Sequence, residues 1–178
     1  MHKKIYIEFT KPKGHRFPIL SWAIRKIQKT PYSHVRLTWK SNSGIPIIYE
    51  ASGSHVKVIG SKAADNYPVH IIKAYEVDVS REEYRSLIRL LDYASVSYGK
   101  IQILGIALAM LFKLDTNPLS KGRSSQVCSE LAALFFSTVK GIDLGLNLDL
   151  AGPKEIDIAL TELIKNGIMD MRLKIDNT

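Results

Sequence analysis

The chain changes its hydrophobic period at Ser80, and that change constrains the fold more than any other feature. Before Ser80, apart from one helical stretch at 17–28, apolar residues recur at every second position in short runs; beyond it, as far as 165, they recur at helical spacing. Period two marks half-buried strands, and a spacing of three to four marks helices with one buried face. Strands first and helices after specify an α+β protein, with a small antiparallel sheet packed against helices. With 178 residues the chain reads as a single domain, 1–178, long enough for a substantial core.

Residues 3–10 are read as a strand with Ile5 and Ile7 on one side and Tyr6 and Glu8 on the other. Residues 17–28 suit a helix, with Pro18 in its first turn and Thr30-Pro31 ending it. A hairpin follows. In its first strand Val35, Leu37 and Trp39 share one face, while His34, Arg36 and Thr38 share the other; in its second, Ile48 and Glu50 share a face. A loop at Ser41–Ser43 sets His34 directly opposite Glu50, with Cβ atoms about 5 Å apart. A slip of one residue turns them to opposite faces, and the sequence leaves that register open. Further strands at 55–59 and 69–79 predict an antiparallel meander of four or five strands.

Ser80-Arg81-Glu82-Glu83 is a capping box that opens a helix burying Tyr84, Leu87, Ile88, Leu91 and Ala94. The stretch from Ile101 to Phe112 is apolar except for Gln102 and Gly105. It is shorter than the roughly 20 residues of a membrane span, so it is read as a buried helix, with an interfacial membrane patch as the alternative. A long loop over 113–122 leads to the segment that starts Ser124-Ser125-Gln126-Val127-Cys128-Ser129-Glu130-Leu131. The serines stand where an N-cap is wanted, Glu130 suits the positive end of a helix dipole, and Gly141 is the stop signal. After a loop over 142–152, Pro153 fits the first turn of a helix through Lys165. Gly167 ends that helix, and 168–175 is read as a last strand.

The chain has one cysteine, which excludes an internal disulfide framework and a multi-cysteine metal site. No group of His, Cys, Asp and Glu has ligand spacing, so neither metal nor cofactor is expected. The polar, alternating start is unlike a signal peptide, which points to a cytoplasmic setting. A net charge of +8 favours acidic partners such as anionic lipid headgroups or wall polymers. The basic residues are scattered without interleaved aromatics, so nucleic acid is not among the expected partners.

Cys128 falls in the first turn of its helix, beside free backbone N–H groups. Such surroundings favour a thiolate and can hold an oxyanion. Yet Cys128 shares a helical face with Leu131, Ala132 and Phe135, where an inert core cysteine would also sit. What separates the two readings is whether a base and an orienting acid exist elsewhere, and the His34–Glu50 hairpin offers both. The order His, Glu, Cys reverses that of papain, but such triads are defined by geometry. His55 and His70 are reserve bases. The Cys128 N–H is the natural first oxyanion donor, with Gln126, Tyr98 and Ser129 as candidate substrate or oxyanion contacts.

Ser33-His34-Val35, Tyr49-Glu50-Ala51, Tyr98-Gly99 and Val127-Cys128-Ser129-Glu130-Leu131 together resemble, in order and spacing, the circularly permuted papain-like amidases of the NlpC superfamily, the YiiX and YebB-like group. The resemblance covers residues 5–160. It implies a permuted papain-like fold with the nucleophile at a helix N-terminus. Cys128 would attack a carbonyl, His34 would act as general base and Glu50 would orient His34. It also implies a cysteine hydrolase, an amidase or peptidase, that forms a covalent thioacyl-enzyme on a small peptide, amide or acyl substrate, with a cell-wall-type peptide as one candidate. The chain departs from the group at Gly99, where an acidic residue is common, and before Cys128, where unpermuted members carry an aspartate. Two alternatives stand beside this reading: a lipid-directed thiol acyl hydrolase or acyltransferase, and a non-catalytic binding module that keeps the fold.

Overall fold

The computed structural model describes residues 2–14, 18–52, 55–60, 62–93, 97–98, 100–119 and 125–176. Its strands are β1 (Lys3–Pro12), β2 (His34–Lys40), β3 (Pro46–Ser52), β4 (His55–Gly60), β5 (Val69–Val79), β6 (Ser97–Tyr98), β7 (Ser125–Gln126) and β8 (Met171–Asp176). The helices are α1 (Pro18–Gln28), α2 (Lys62–Asp65), α3 (Arg81–Leu90), α4 (Lys100–Phe112), α5 (Cys128–Phe135) and α6 (Pro153–Lys165). The protein is α+β.

All eight strands form one sheet in the order β7-β6-β4-β3-β2-β1-β5-β8. The pairs are antiparallel except β6 with β7, which is parallel. The first four strands make the expected meander. The fifth does not extend it: β5, with 11 residues, pairs along the free edge of β1 rather than with β4, so a long strand meets a long one. That choice makes β1 an interior strand, flanked by β2 and β5.

Alternation then sorts the side chains. Ile5, Ile7, Phe9, Val35, Leu37, Trp39, Tyr49, Ala51, Val56, Val77 and Val79 are buried in one core with Leu87 and Leu90 of α3, Leu131 and Phe135 of α5, and Leu160 of α6. Burial of this apolar surface is the main stabilising contribution, at about 25 cal/mol per Å² removed from water. The Ser80–Glu83 capping box is present, and Glu83 also binds Lys140 Nζ at 2.6 Å, which ties the start of α3 to the end of the cysteine helix. Ile88 is not part of the core, being 41% exposed, because it lies a quarter-turn away from Leu87 on the outer side of α3. Ala94 and Phe17 lie outside the described residues.

The cysteine helix starts without the expected serine cap and ends at the expected Gly141, by way of a wider turn. After Phe135 the chain continues in wider π-type turns from Phe136 to Lys140, and Gly141 closes them at φ 66°. Its N-cap is Val127, not a serine. Ser125 belongs to β7, Ser124 lies outside the described residues, and the capping is done by Glu130, which accepts the Val127 N–H at 2.8 Å.

Helix α4 is not wholly buried. Ile103 and Ile106 pack with Val127, Leu20, Ile24 and Met110, whereas Ile101, Leu104, Leu111 and Phe112 are exposed. An almost uniformly apolar helix has no polar stripe to distinguish outside from inside, so the buried side is chosen by its neighbours. Among the described residues, no helix is long and apolar enough to cross a membrane.

Candidate active site

The hairpin that carries His34 and Glu50 closes one residue later than the sequence suggests. Ser41 N–H donates to Ile45 O at 2.8 Å, and Gly44 N–H to Ser41 O at 3.1 Å. The loop is therefore Asn42–Gly44, closed by the left-handed conformation of Gly44 at φ 77°. Moving a loop by one residue moves the pairing by two. Leu37 pairs with Tyr49 and Thr38 with Ile48, so Arg36 is level with Glu50 and His34 lies diagonal to it. A shift of two preserves the face, and His34 Nε2 reaches Glu50 Oε2 at 3.0 Å. Arg36 does not compete: its guanidinium makes two contacts of 2.8 Å with Glu8 Oε2, through Nε and Nη2.

Glu50 is held on both oxygens. While Oε2 accepts from His34, Oε1 accepts from Ser52 Oγ at 2.5 Å and from the Tyr67 hydroxyl, and Lys57 Nζ stands at 3.3 Å. Its side chain keeps 1% of its surface in solvent, against 15% for His34. Burial alone would favour the protonated acid. The His34 hydrogen bond and charge, followed by the bonds from Ser52 and Tyr67, outweigh it and hold the carboxyl well below the usual carboxylate range. Burial pushes the Tyr67 hydroxyl up, and the neighbouring Glu50 charge adds to it, so this phenol stays a donor.

His34 opens β2 and Cys128 opens α5, so both lie at element ends, where the packing of helix on sheet brings them together. Burial by itself would lower the His34 imidazole. The Cys128 sulfur, as a negative charge and an acceptor, and then the Glu50 carboxylate, as an acceptor and a negative charge, overcome it and raise it from 6.5 to about 10. With Nε2 engaged by Glu50, Nδ1 is the ring nitrogen left for the thiol. Cys128 is 5% exposed and stands at the first helical position, where its own N–H has no partner within the helix.

The helix start is anchored to α4. Glu130 Oε1 accepts from Gln102 Nε2 at 2.6 Å, and Asn117 Nδ2 donates to Gln102 O at 3.0 Å. Gly105 permits the close approach of that loop, since a Cβ there would lie 1.8 Å from Asn117 Oδ1. Burial pushes the Glu130 carboxyl up, against the opposing bonds from Val127 N–H and Gln102.

On the other side of Cys128 lies a cavity of ≈ 30 Å³ formed by α1, α4 and the start of α6. Ile24, Ile27, Ile103, Ile106 and Met110 supply its apolar wall. Thiol, imidazole and carboxylate are the side-chain types that nucleophilic acyl transfer requires.

Of the other residues singled out from the sequence, Ser129 lies in the first turn of α5. Its buried hydroxyl donates to Ala151 O at 2.6 Å, so the side chain is committed to the loop before α6 and has no proton to offer an oxyanion. Tyr98 and Gln126 lie in β6 and β7, and their side chains lie outside the described set. His55 and His70 are exposed; the imidazole that Glu50 holds is His34. Sequence reasoning missed Ser52, Lys57 and Tyr67. Ser52 was readable, being two residues beyond Glu50 on the same face, and so was Lys57, which pairs with Glu50 on the next strand. Tyr67 was not, since it follows α2 and reaches Glu50 only through the tertiary fold.

Among the described residues, no group of three or more His, Cys, Asp and Glu is placed to hold a metal ion. No family model and no curated protein matches the chain. Among solved structures it is similar to the crystal structure of metalloprotein YiiX from Escherichia coli O157:H7, with 16% identity and a TM-score of 0.49 over 99% of this chain and 88% of that chain.

Proposed function

We propose that the protein is a cysteine hydrolase of permuted papain-like architecture that cleaves an amide or related acyl bond. The observation that carries this reading is the position of the His34 ring, bonded to Glu50 at 3.0 Å at the start of β2, the strand against which α5 and its first residue Cys128 pack. Cys128 is the nucleophile, His34 the acid and base, and Glu50 the group that fixes the ring's tautomer and stabilises its charged form.

In the first half of the reaction, Cys128 Sγ bonds to the substrate carbonyl carbon after its proton passes to His34. The bond to the leaving nitrogen or oxygen then breaks, and His34 returns the proton to that atom, which leaves a thioester on Cys128. In the second half, His34 takes a proton from water as its oxygen bonds to the thioester carbon; the C–S bond breaks, the acid departs, and the proton returns to sulfur. The Cys128 N–H, at the positive end of α5, is the donor available to the oxyanion in both halves.

The test is alkylation by iodoacetamide as a function of pH, in the wild type and in His34→Ala. The reading requires rapid modification of Cys128 well below pH 8 that disappears with the imidazole. Slow, equal modification in both proteins would refute it and leave Cys128 a core residue.

A further inference from the structure

We infer that the cavity beside Cys128 receives the aliphatic part of a short, unbranched acyl group, so the substrate class is a short-chain acyl ester or amide. This inference rests on the hydrolase reading above and adds the identity of what is transferred to sulfur. It follows from which atoms the cavity leaves available.

Three polar side chains reach its wall, Gln28, Ser33 and Ser129, and each is already bonded elsewhere in the protein. Gln28 Nε2 donates to Glu155 Oε2 at 3.0 Å, and its Oε1 accepts the Lys154 N–H at 3.3 Å. Ser33 Oγ is paired with Ser21 Oγ at 2.7 Å, and Ser129 Oγ with Ala151 O at 2.6 Å. A peptide segment entering here would bury N–H and C=O groups without partners, at a cost of about 1–3 kcal/mol for each. An alkyl chain has no such groups and gains from contact with Ile24, Ile27, Ile103, Ile106 and Met110.

Size sets the length. The cavity's ≈ 30 Å³ compares with the about 10–15 Å³ that one water needs on the same measure, so it holds only a few carbons. Met110, with a flexible thioether chain, is the wall residue best able to give way to one or two more. Cys128 lines this cavity, so an acyl carbon bonded to its sulfur can direct the chain into the space while the leaving group stays on the open side, near His34.

The experiment uses the full chain and p-nitrophenyl esters from acetate to dodecanoate, together with the p-nitroanilide amides of the same acids. Acylation of Cys128 is read by intact mass and turnover by release of the nitrophenyl or nitroanilide group. The expected result is a peak at butanoate or hexanoate, roughly tenfold above acetate and falling again for dodecanoate, as one to two well-buried methylenes would give. Comparing esters with amides identifies the bond the enzyme cleaves. Ala107→Phe, which fills the cavity, should move the peak to acetate, and Met110→Ala should move it to longer chains. If Ala107→Phe fails to fold, the shift in Met110→Ala still decides the matter. A flat profile, or a profile that neither variant moves, would overturn the inference while leaving the hydrolase reading intact. Absence of any acylation, together with iodoacetamide reactivity that ignores His34, would overturn both.

Discussion

Cys128 stands between two regions built on opposite principles. On the sheet side a polar network surrounds Glu50, which accepts from His34, Ser52 and Tyr67 with Lys57 close by. On the α1–α4 side the wall is aliphatic, and its few polar groups are occupied within the protein. On the proposed hydrolase reading, the contrast gives the two regions separate tasks. A charge network fixes a protonation state and one ring orientation, because buried charge is stable only where each partner stays in place. An apolar cavity discriminates by shape and volume, and tolerates change as long as the volume is kept. Substitutions on the sheet side should therefore alter rate and pH dependence, and those on the helix side should alter stability and acyl preference.

The largest expected effect comes from Glu50→Gln. The amide keeps the shape but removes the charge that supports the His34 ring, and it can present the wrong hydrogen-bond partner to Nε2. On the proposed mechanism turnover should fall by roughly 10⁴-fold, as when a triad carboxylate becomes an amide. Stability should fall by about 3 kcal/mol, because Lys57 and a charged His34 would be left without their buried counter-ion. Denaturant unfolding and kcat measured on the same preparation would check it. A variant as stable and as fast as the wild type would remove the distinction between the two regions.

The sequence carried much of this arrangement. His34 and Glu50 on one face follows from period two, and survives the actual register only because the loop moved by one residue and the pairing by two. A loop of the other parity would have separated them. Cys128 at a helix start was equally legible, although the cap was not: Glu130 reaches back to Val127 where serines looked sufficient. What could not be read is what depends on contacts distant in sequence. Tyr67 meets Glu50 through the packing of the segment after α2, and the division of α4 into a cavity side and an exposed side is imposed by α1 and Val127. Composition describes α4 as uniformly apolar, and neighbours alone make its two sides different.

A middle-sized effect belongs to the helix side. Gly152 precedes α6, and a Cβ there would lie 1.8 Å from Gln28 Nε2 and 2.8 Å from its Cδ. Gly152→Ala would force Gln28 to release Glu155 and the Lys154 N–H, at a cost of about 2 kcal/mol. For a chain of this size that is a fall in Tm of roughly 4–8 °C. The acyl-chain profile should change, because Gln28 lines the cavity, while the pH profile of Cys128 alkylation should not. A shifted pH profile would show that the two regions are coupled after all.

The pH dependence of stability sharpens the same contrast. His34 is raised from 6.5 to about 10 in the folded protein, so its contribution to stability is fully present below pH 6.5 and is lost as the pH rises through about 10. Glu50 is lowered from 4.5, so its contribution is present above pH 4.5 and is lost as the pH falls through its depressed folded value. The two overlap between about pH 5 and 6.5, where the pair stabilises most. Tm measured from pH 6 to 10 should decline in the wild type, and the decline should be shallower in His34→Ala. Parallel curves would mean that the ring is not charged in the folded protein.

The smallest expected effect is that of Tyr67→Phe, and it tests how much surplus the polar network holds. The ring also lies against Lys57 Nζ and the Arg36 guanidinium, each 5.4 Å from its centroid. Those ring contacts survive in phenylalanine, and the hydroxyl's donation to Glu50 is lost. Ser52, Lys57 and His34 still partner the carboxylate, so the change should cost about 1 kcal/mol, the size of an ordinary hydrogen bond. Turnover should fall only a few-fold. The informative readout is the alkylation profile, because one fewer donor leaves Glu50 more basic and therefore a stronger partner for the charged imidazole; the pH at which Cys128 becomes reactive should move slightly while the acyl-chain preference stays fixed. A large loss of rate with an unchanged profile would mean that the Tyr67 hydroxyl acts on the substrate and not through Glu50.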